Sequence, residues 1–402
     1  MVKLNKYSAL DIVDKYVIAS LLGIYLIFPF VYQFYTDIEL SLEIFTGLVL
    51  STIFGILIIF TKFNKKINIR VDENKIFTLK TIYIFLVLIL IIKILTVSWS
   101  LINIDLSVSR DEIWYSESRE EAIGGRSIFG FLSIFTSAFI VILFGDMFRR
   151  KLNSYKLPLL IVMAYISIEI LQIAITTVYR SPIVFEIVFW IFFYNFYIKK
   201  INLNFIKISI FTVCVLLYLS WGAYFRSKTE GAISLIHGMR GLVTVYEIDS
   251  IRSMIKSSQL NFELGIQLFY NLISWVPRIL WENKPTTSFS WRVSELLYGY
   301  GEVGVTTWVR TFSIAGEGYL QFGVLGMIIW TVIFSYLYLF TKRIADSCAF
   351  SFPIFIKLWV GMPLIIRGDL SAFFGSFWTA IIVVTFFGFI FYILKGGFKY
   401  KV

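Results

Sequence analysis

The chain has one histidine and two cysteines in 402 residues. His237 has no cysteine or acidic residue at ligand spacing, so a metal site built on it is not expected. Cys214 lies inside an apolar run and Cys348 in a segment between runs, which argues against both a disulfide and a metal site. Charge is sparse, with Asp, Glu, Lys and Arg together making 16% of residues. There is no internal repeat and no low-complexity tail. The first apolar run is long and is followed by no small-residue cleavage site, so it is expected to stay as a span rather than act as a signal peptide.

What is abundant is apolar surface. The chain is 58% hydrophobic and 19% aromatic, with a mean hydropathy of +0.79, whereas soluble domains average about 45–50% apolar residues. Repeated apolar stretches near the length of a membrane crossing predict an all-α polytopic membrane protein, a single integral membrane domain over 1–402 with about ten transmembrane helices. The expected spans are Tyr16–Phe34, Leu42–Phe60, Thr81–Leu101, Ser127–Met147, Leu157–Val178, Ser181–Ile198, Phe205–Ala223, Glu317–Thr341, Phe352–Ile366 and Ala372–Leu394. The ninth is short and holds Pro353 and Pro363, so a broken or tilted helix is expected there. The net charge of +11 follows largely from basic cytoplasmic loops and gives no reason to expect a nucleic-acid partner.

The short loops set the orientation, with both termini inside. The inner segments are then lysine-rich, with only Arg70, Arg149, Arg150 and Arg343 as arginines. The outer segments hold eleven arginines and three lysines. A large outer loop covers 224–316, and within it Phe262–Trp281 reads as a helix lying in the outer interface. Lysine serves lipid headgroups as well as arginine does, so the outer arginine bias calls for another cause. Arginine's rigid fork of donors matches phosphate oxygens.

Arg180 sits in the tight turn Tyr179-Arg180-Ser181-Pro182, and Arg226 and Arg367 end spans at the outer boundary. Arg278, Arg292 and Arg310 lie in the long loop. Converging at that depth, these side chains would hold a lipid-linked pyrophosphate and stabilise it as a leaving group. Headgroup contact or ion pairing is the plainer account of any single one. Among the acidic candidates Glu230, Glu295, Glu302, Glu317 and Asp369, Glu317 stands out, seven residues beyond Arg310 and on its face if both are helical. It would serve as general base toward a sugar hydroxyl or orient Arg310, and His237 is the reserve base. Trp281, Trp291, Tyr298, Trp308 and Tyr319 are flat faces for sugar rings or an interfacial aromatic belt. Asp37-Ile-Glu39 and Glu247-Ile-Asp249 are weak divalent-metal signals. Within the membrane, Lys93 and Glu169 are placed to pair, Glu186 to reach the outer cavity, and Lys357 to snorkel inward.

Two runs carry a family resemblance. Trp275-Val276-Pro277-Arg278-Ile279-Leu280-Trp281-Glu282-Asn283-Lys284-Pro285 resembles one signature of the bacterial Wzy-type oligosaccharide repeat-unit polymerases of O-antigen and capsule. Gly316-Glu317-Gly318-Tyr319-Leu320-Gln321-Phe322-Gly323-Val324-Leu325-Gly326 resembles the second, with Gln321 where asparagine is common. The Arg180-Ser181 turn resembles the family's arginine between two mid-chain helices.

The resemblance covers roughly the last 230 residues. It implies a GT-C-like, O-antigen-ligase-like architecture in the bacterial inner (plasma) membrane. It implies transfer of a growing chain from undecaprenyl pyrophosphate onto the next lipid-linked repeat unit, with no cofactor and no metal, in membrane lipid. A flippase and a chain-length regulator are the implied partners. The alternatives are an O-antigen ligase or other GT-C glycosyltransferase, and a lipid-linked oligosaccharide flippase or other transporter. A transporter would be expected to show repeats and mid-membrane polar residues.

Overall fold

The structure of the chain, a computed structural model, describes residues 6–36, 41–61, 79–102, 140, 143, 160–168, 181–197, 204–227, 245–258, 260–276, 281, 289–290, 293, 311–347 and 351–394. Among these residues every regular element is a helix. In chain order they are α1 (Lys6–Leu22), α2 (Phe28–Thr36), α3 (Leu42–Thr61), α4 (Leu79–Ile102), α5 (Ser181–Tyr197) and α6 (Phe205–Ser227). Then follow α7 (Val245–Lys256), α8 (Ile266–Leu272), α9 (Ser313–Ser347), α10 (Ser351–Val360), α11 (Met362–Arg367) and α12 (Leu370–Leu394). A π-helical turn, Gly23–Ile27, joins α1 to α2, and residues 160–168 are also helical. Most of the fourth and fifth expected spans lies outside the described residues.

Among the described residues three helical stretches are long and apolar enough to cross a membrane: Ile12–Val31, Leu42–Phe60 and Ser313–Ala345. Shorter apolar stretches run over Tyr83–Leu95, Val184–Asn195, Phe205–Leu217 and Leu370–Phe386. The chain is therefore a helical membrane protein. Inside these helices the Thr52 hydroxyl bonds back to the Leu48 carbonyl and Thr331 to that of Met327, one turn earlier, which meets the polarity of these two groups in apolar surroundings.

The tightest pairing is between α3 and α9. Gly47, Ser51 and Gly55 place a small residue every fourth position on α3, a spacing that lets helices approach closely in lipid. A Cβ on Gly47 would meet Met327 Sδ at 2.5 Å, and one on Gly55 would meet Thr331 at 3.1 Å. Both numbers rise together along the two helices, so α3 runs parallel to the later part of α9. At the far end of this pair, Lys342 forms a buried salt bridge with Asp14 of α1, and the Tyr338 hydroxyl donates to the same carboxylate at 2.7 Å.

The ninth expected span is broken, as its prolines predict. α10 ends at Val360, Gly361 intervenes, and α11 restarts with Pro363 in its first turn, where a missing N–H costs nothing. The Tyr16 hydroxyl donates to the Val360 carbonyl at 3.3 Å beside the break.

The eighth span departs from expectation. The apolar stretch that holds it, Ser313–Ala345, has 33 residues and would measure about 50 Å as one straight helix, too long for a hydrocarbon core of about 30 Å. The backbone reverses at Phe322 and Gly323, whose φ of +63° lies in the left-handed region that glycine enters without penalty. Contacts on either side fix the reversal. Gly318 and Gly326 meet backbone to backbone, and a Cβ on Gly318 would fall 2.2 Å from the Gly326 carbonyl oxygen. Glu317 meets Trp330. The Tyr25 hydroxyl accepts from the Ala315 N–H at 3.2 Å and is also reached by Ser313 and Thr331. α9 is thus a helical hairpin: a short arm, 313–321, folded against a long arm, 324–347. The long arm measures about 36 Å and suits one crossing.

Two further expectations are corrected. Glu317 does not open a straight span at the boundary; it lies on the short arm, level with Trp330, about 9 Å along the long arm from its start. Phe262–Trp281 is not one interfacial helix. Its described part holds the short α8 with a 3-10 turn, Ile273–Trp275, packed along α12, where the rings of Trp275 and Trp378 lie 6.0 Å apart and tilted at 47°.

Candidate functional site

The short arm carries Glu317 into a polar cluster at the start of α12. Glu317 is fully buried. Its Oε1 accepts from Asn271 Nδ2 of α8 at 2.9 Å and from Trp330 Nε1 of the long arm at 3.0 Å. Its Oε2 accepts from the Leu370 N–H at 2.6 Å. One carboxylate therefore ties together three elements far apart in sequence.

Asp369 caps the same helix end. Its Oδ1 accepts from the Ala372 N–H at 2.9 Å, the bond an N-cap residue makes to satisfy an orphan amide of the first turn. Its Oδ2 accepts from the Ser290 N–H at 3.0 Å, which ties the long loop to α12. Two acidic groups at a helix N-terminus also oppose the positive end of its dipole favourably.

Beside this cluster, Gln267 Nε2 donates to Asn271 Oδ1 at 3.1 Å, which fixes the amide so that Nδ2 faces Glu317. Gln321 bridges the hairpin tip to the long loop, donating to Glu263 at 2.7 Å and accepting from the Gly265 N–H at 2.8 Å.

A second, more open cluster lies near the start of α3. Glu43 Oε1 accepts from the Tyr319 hydroxyl at 3.0 Å, and Glu43 Oε2 accepts from Arg252 Nε of α7 at 2.9 Å. Arg252 also donates to Asp249 at 3.0 Å. Hydrogen bonding to Glu43, with Asp249 assisting, holds the Arg252 guanidinium above its ordinary pKa.

The expected site residues divide as follows. Glu317 and Arg367 come to one region, since Arg367 ends α11 two residues before Asp369 and is half-buried. Tyr319, expected as a platform for sugar, has no open ring face: it is buried and its hydroxyl is engaged by Glu43. Trp281 is exposed. Arg226 lies on α6 near its end. Arg180, His237, Arg278, Trp291, Arg292, Tyr298, Trp308 and Arg310 lie outside the described residues, as do Asp37 and Glu39. The helix that carries Glu317 starts at Ser313, whose φ is +64°; Arg310, expected on the same face, lies outside the described residues.

Glu247 and Asp249 make no metal pair: Glu247 is buried, whereas Asp249 turns to Arg252. Among the described residues no group of three or more possible metal ligands occurs.

Two of the intramembrane charges, Glu186 and Lys357, are accounted for differently from expectation. Lys357 lies 3.9 Å from Glu186, which also accepts from Trp190 Nε1 at 3.1 Å. Lys93 is buried with its ammonium 5.7 Å from the Tyr165 ring centre. Glu169 lies outside the described residues.

Sequence reasoning did not single out Asn271, Gln267 or the Glu43–Arg252 pair. The signal for the first two was there: an amide pair at i, i+4 inside an apolar run puts both on one face. No family model, curated protein or solved structure matches the chain.

Proposed function

We propose that the chain is a membrane glycosyltransferase that polymerises undecaprenyl-pyrophosphate-linked oligosaccharide repeat units, for O-antigen or capsule, at the outer face of the bacterial inner membrane. On this reading the protein is multi-pass with about ten spans, both termini are inside, and the Glu43 end of α3 faces out. A GT-C-like arrangement goes with that reading.

The observation that carries it is the fold of the Gly316–Gly326 run. Of the run's four glycines, Gly318, Gly323 and Gly326 are accounted for, together with Glu317, by one structure, the hairpin whose short arm holds Glu317 at the head of α12. Three spaced glycines and one carboxylate serving a single local geometry is what a signature of a functional site would encode.

In the proposed reaction an acceptor sugar hydroxyl attacks the anomeric carbon of the growing chain. The bond from that carbon to the pyrophosphate oxygen breaks, and undecaprenyl pyrophosphate leaves with the electron pair. The hydroxyl proton passes to a base at the outer face. Arginine forks serve the departing diphosphate, with Arg180, Arg226, Arg278, Arg292, Arg310 and Arg367 assigned to it. Trp281, Trp291, Tyr298 and Trp308 are assigned to sugar. Both Glu317 oxygens are taken by N–H donors, so Glu317 is assigned a positioning role: it sets the start of α12 and hence the Arg367–Asp369 turn. Its engagement favours His237, or another outer carboxylate, as the base.

The test is polymerisation by purified protein in nanodiscs, given the pyrophosphate-linked repeat unit of its host with EDTA present. The expected result is a ladder of products, sharply reduced by Arg310→Lys because a point charge lacks the bidentate fork. Substrate that binds but stays unmodified would sink the polymerase reading and bring ligase or transporter forward.

A further inference from the structure

α8 is built inside out. Gln267 and Asn271 face inward and are fully buried. Ile266, Phe269 and Leu272 face outward, with Phe269 54% exposed, and Trp275 beyond them is 53% exposed. A surface helix in water shows the opposite arrangement, polar side out.

The path of this segment explains the inversion. Residues 263–265 lie at the hairpin tip, where the Glu263 N–H bonds to the Leu320 carbonyl at 3.1 Å and Gly265 to Gln321. Six residues after Gly265, Asn271 is at Glu317, level with the head of α12. By Trp275 the chain has reached Trp378, eight residues and about 12 Å further along α12. By Ser290 it is back at Asp369. The chain therefore runs from the tip down the side of an apolar helix and returns.

At the start of α8 Gly265 lies beside Phe322, and Phe322, Leu325 and Ile329 on α9 are likewise exposed apolar residues of a stretch fit to cross a membrane.

We infer that Ile266–Trp275 is the descending limb of a re-entrant element buried in the bilayer, its apolar face in contact with lipid acyl chains. The occupant is lipid rather than a protein, because the face follows the hydrophobic side of α12 and α9 instead of standing away from it. The backbone is compatible with such depth. The N–H groups of Ile266, Leu268 and Ile273 all find carbonyls within the segment's own turns, and the two buried amides, Gln267 and Asn271, are turned toward Glu317, as non-aqueous surroundings require.

The experiment uses full-length protein with Cys214→Ser and Cys348→Ser, reconstituted in liposomes. One spin label is attached at a time, through Leu264→Cys, Phe269→Cys, Leu272→Cys or Ser253→Cys. Relaxation by oxygen, which concentrates in hydrocarbon, is compared with relaxation by a water-soluble nickel chelate. The expected result is a several-fold preference for oxygen at 269 and 272, a smaller one at 264, and preference for nickel at 253 on α7. Nickel preference at 269 and 272 would overturn the inference by putting the segment in water. Exclusion of both reagents there would also overturn it, by showing a protein surface on that face.

Because a label can disturb packing, the unlabelled protein gives a second reading. Tryptophan quenching by lipids brominated on the acyl chain should fall measurably in Trp275→Phe. An unchanged quenching profile counts against the inference. Neither readout depends on catalysis, so failure here and failure of the polymerase reading are separable.

Discussion

Glu317 and Trp330 are 13 residues apart in sequence, yet the indole N–H donates to the carboxylate at 3.0 Å. A continuous helix would separate them by about 20 Å. The contact exists because α9 doubles back at Phe322–Gly323, and the glycines on its two arms allow the doubling.

Gly318→Ala should therefore disrupt the hairpin. The added methyl would fall 2.2 Å from the Gly326 carbonyl oxygen, and backbone cannot step aside as a side chain can. A destabilisation at or above the usual overpacking cost of about 1–3 kcal/mol is expected. Gly375→Ala is the matched control, since a Cβ there meets nothing within 4 Å. Melting followed by size exclusion in detergent should show a marked drop for the first and none for the second. Equal melting curves would mean that the arms are not in contact.

Glu317→Gln tests whether the carboxylate holds the fold or performs chemistry. Glutamine keeps one acceptor oxygen and replaces the other with a donor. Either the Leu370 N–H or the Asn271–Trp330 pair is then left facing a donor. Leaving a buried donor unmet costs about 1–3 kcal/mol. The expected outcome is a lowered melting temperature together with reduced polymer formation. An unchanged melting temperature with activity abolished would return Glu317 to a direct chemical role.

Much of this plan was legible in the sequence, for a physical reason. The extents of α3, α4, α5 and α6 follow from apolar run length, which is what a lipid environment selects. The break between α10 and α11 follows from Pro363, which cannot continue a helix from the preceding turn. The fold-back of α9 was hidden because hydropathy reports which residues suit lipid and is blind to the direction of the chain. The only trace of it was the spacing of Gly318, Gly323 and Gly326. The extent of α8 was hidden for a related reason: the apolar run Phe262–Trp281 does not show where a helix inside it begins and ends. The arginine asymmetry, the strongest chemical signal in the sequence, falls mainly on residues outside the described ones.

Gly47 separates two kinds of crowding. A Cβ there crowds the flexible end of Met327, which can swing away, and meets Val324 Cγ1 at an ordinary 3.4 Å. Gly47→Ala should cost little, whereas Gly47→Leu should push α3 off the long arm of α9. The measurement is the fraction of monodisperse protein recovered after membrane extraction. Equal loss for both variants would contradict the close α3–α9 approach.

The Glu43–Arg252 pair is partly exposed, at 40% and 23% for the two side chains. Such pairs contribute only about 0.2–1 kcal/mol, and salt screens them. Arg252→Ala and Glu43→Gln should each lower stability slightly, and a double-mutant cycle should show weak coupling that fades as salt is raised. Coupling well above that range would point to a more enclosed network.

Asp14 and Lys342 present the opposite case, since both are buried at the other end of the bundle. Removing one charge from a buried pair strands its partner, at a cost of about 3–5 kcal/mol. Asp14→Asn keeps an acceptor for the Tyr338 hydroxyl but takes from the Lys342 ammonium the carboxylate it pairs with. It should lower the melting temperature strongly. Adding Lys342→Gln removes the stranded charge and keeps a donor toward the new amide oxygen at position 14, so most of the loss should return. If the double variant melts no higher than Asp14→Asn alone, the pair is not what joins α1 to the end of the long arm, and packing around Tyr338 would have to carry that contact.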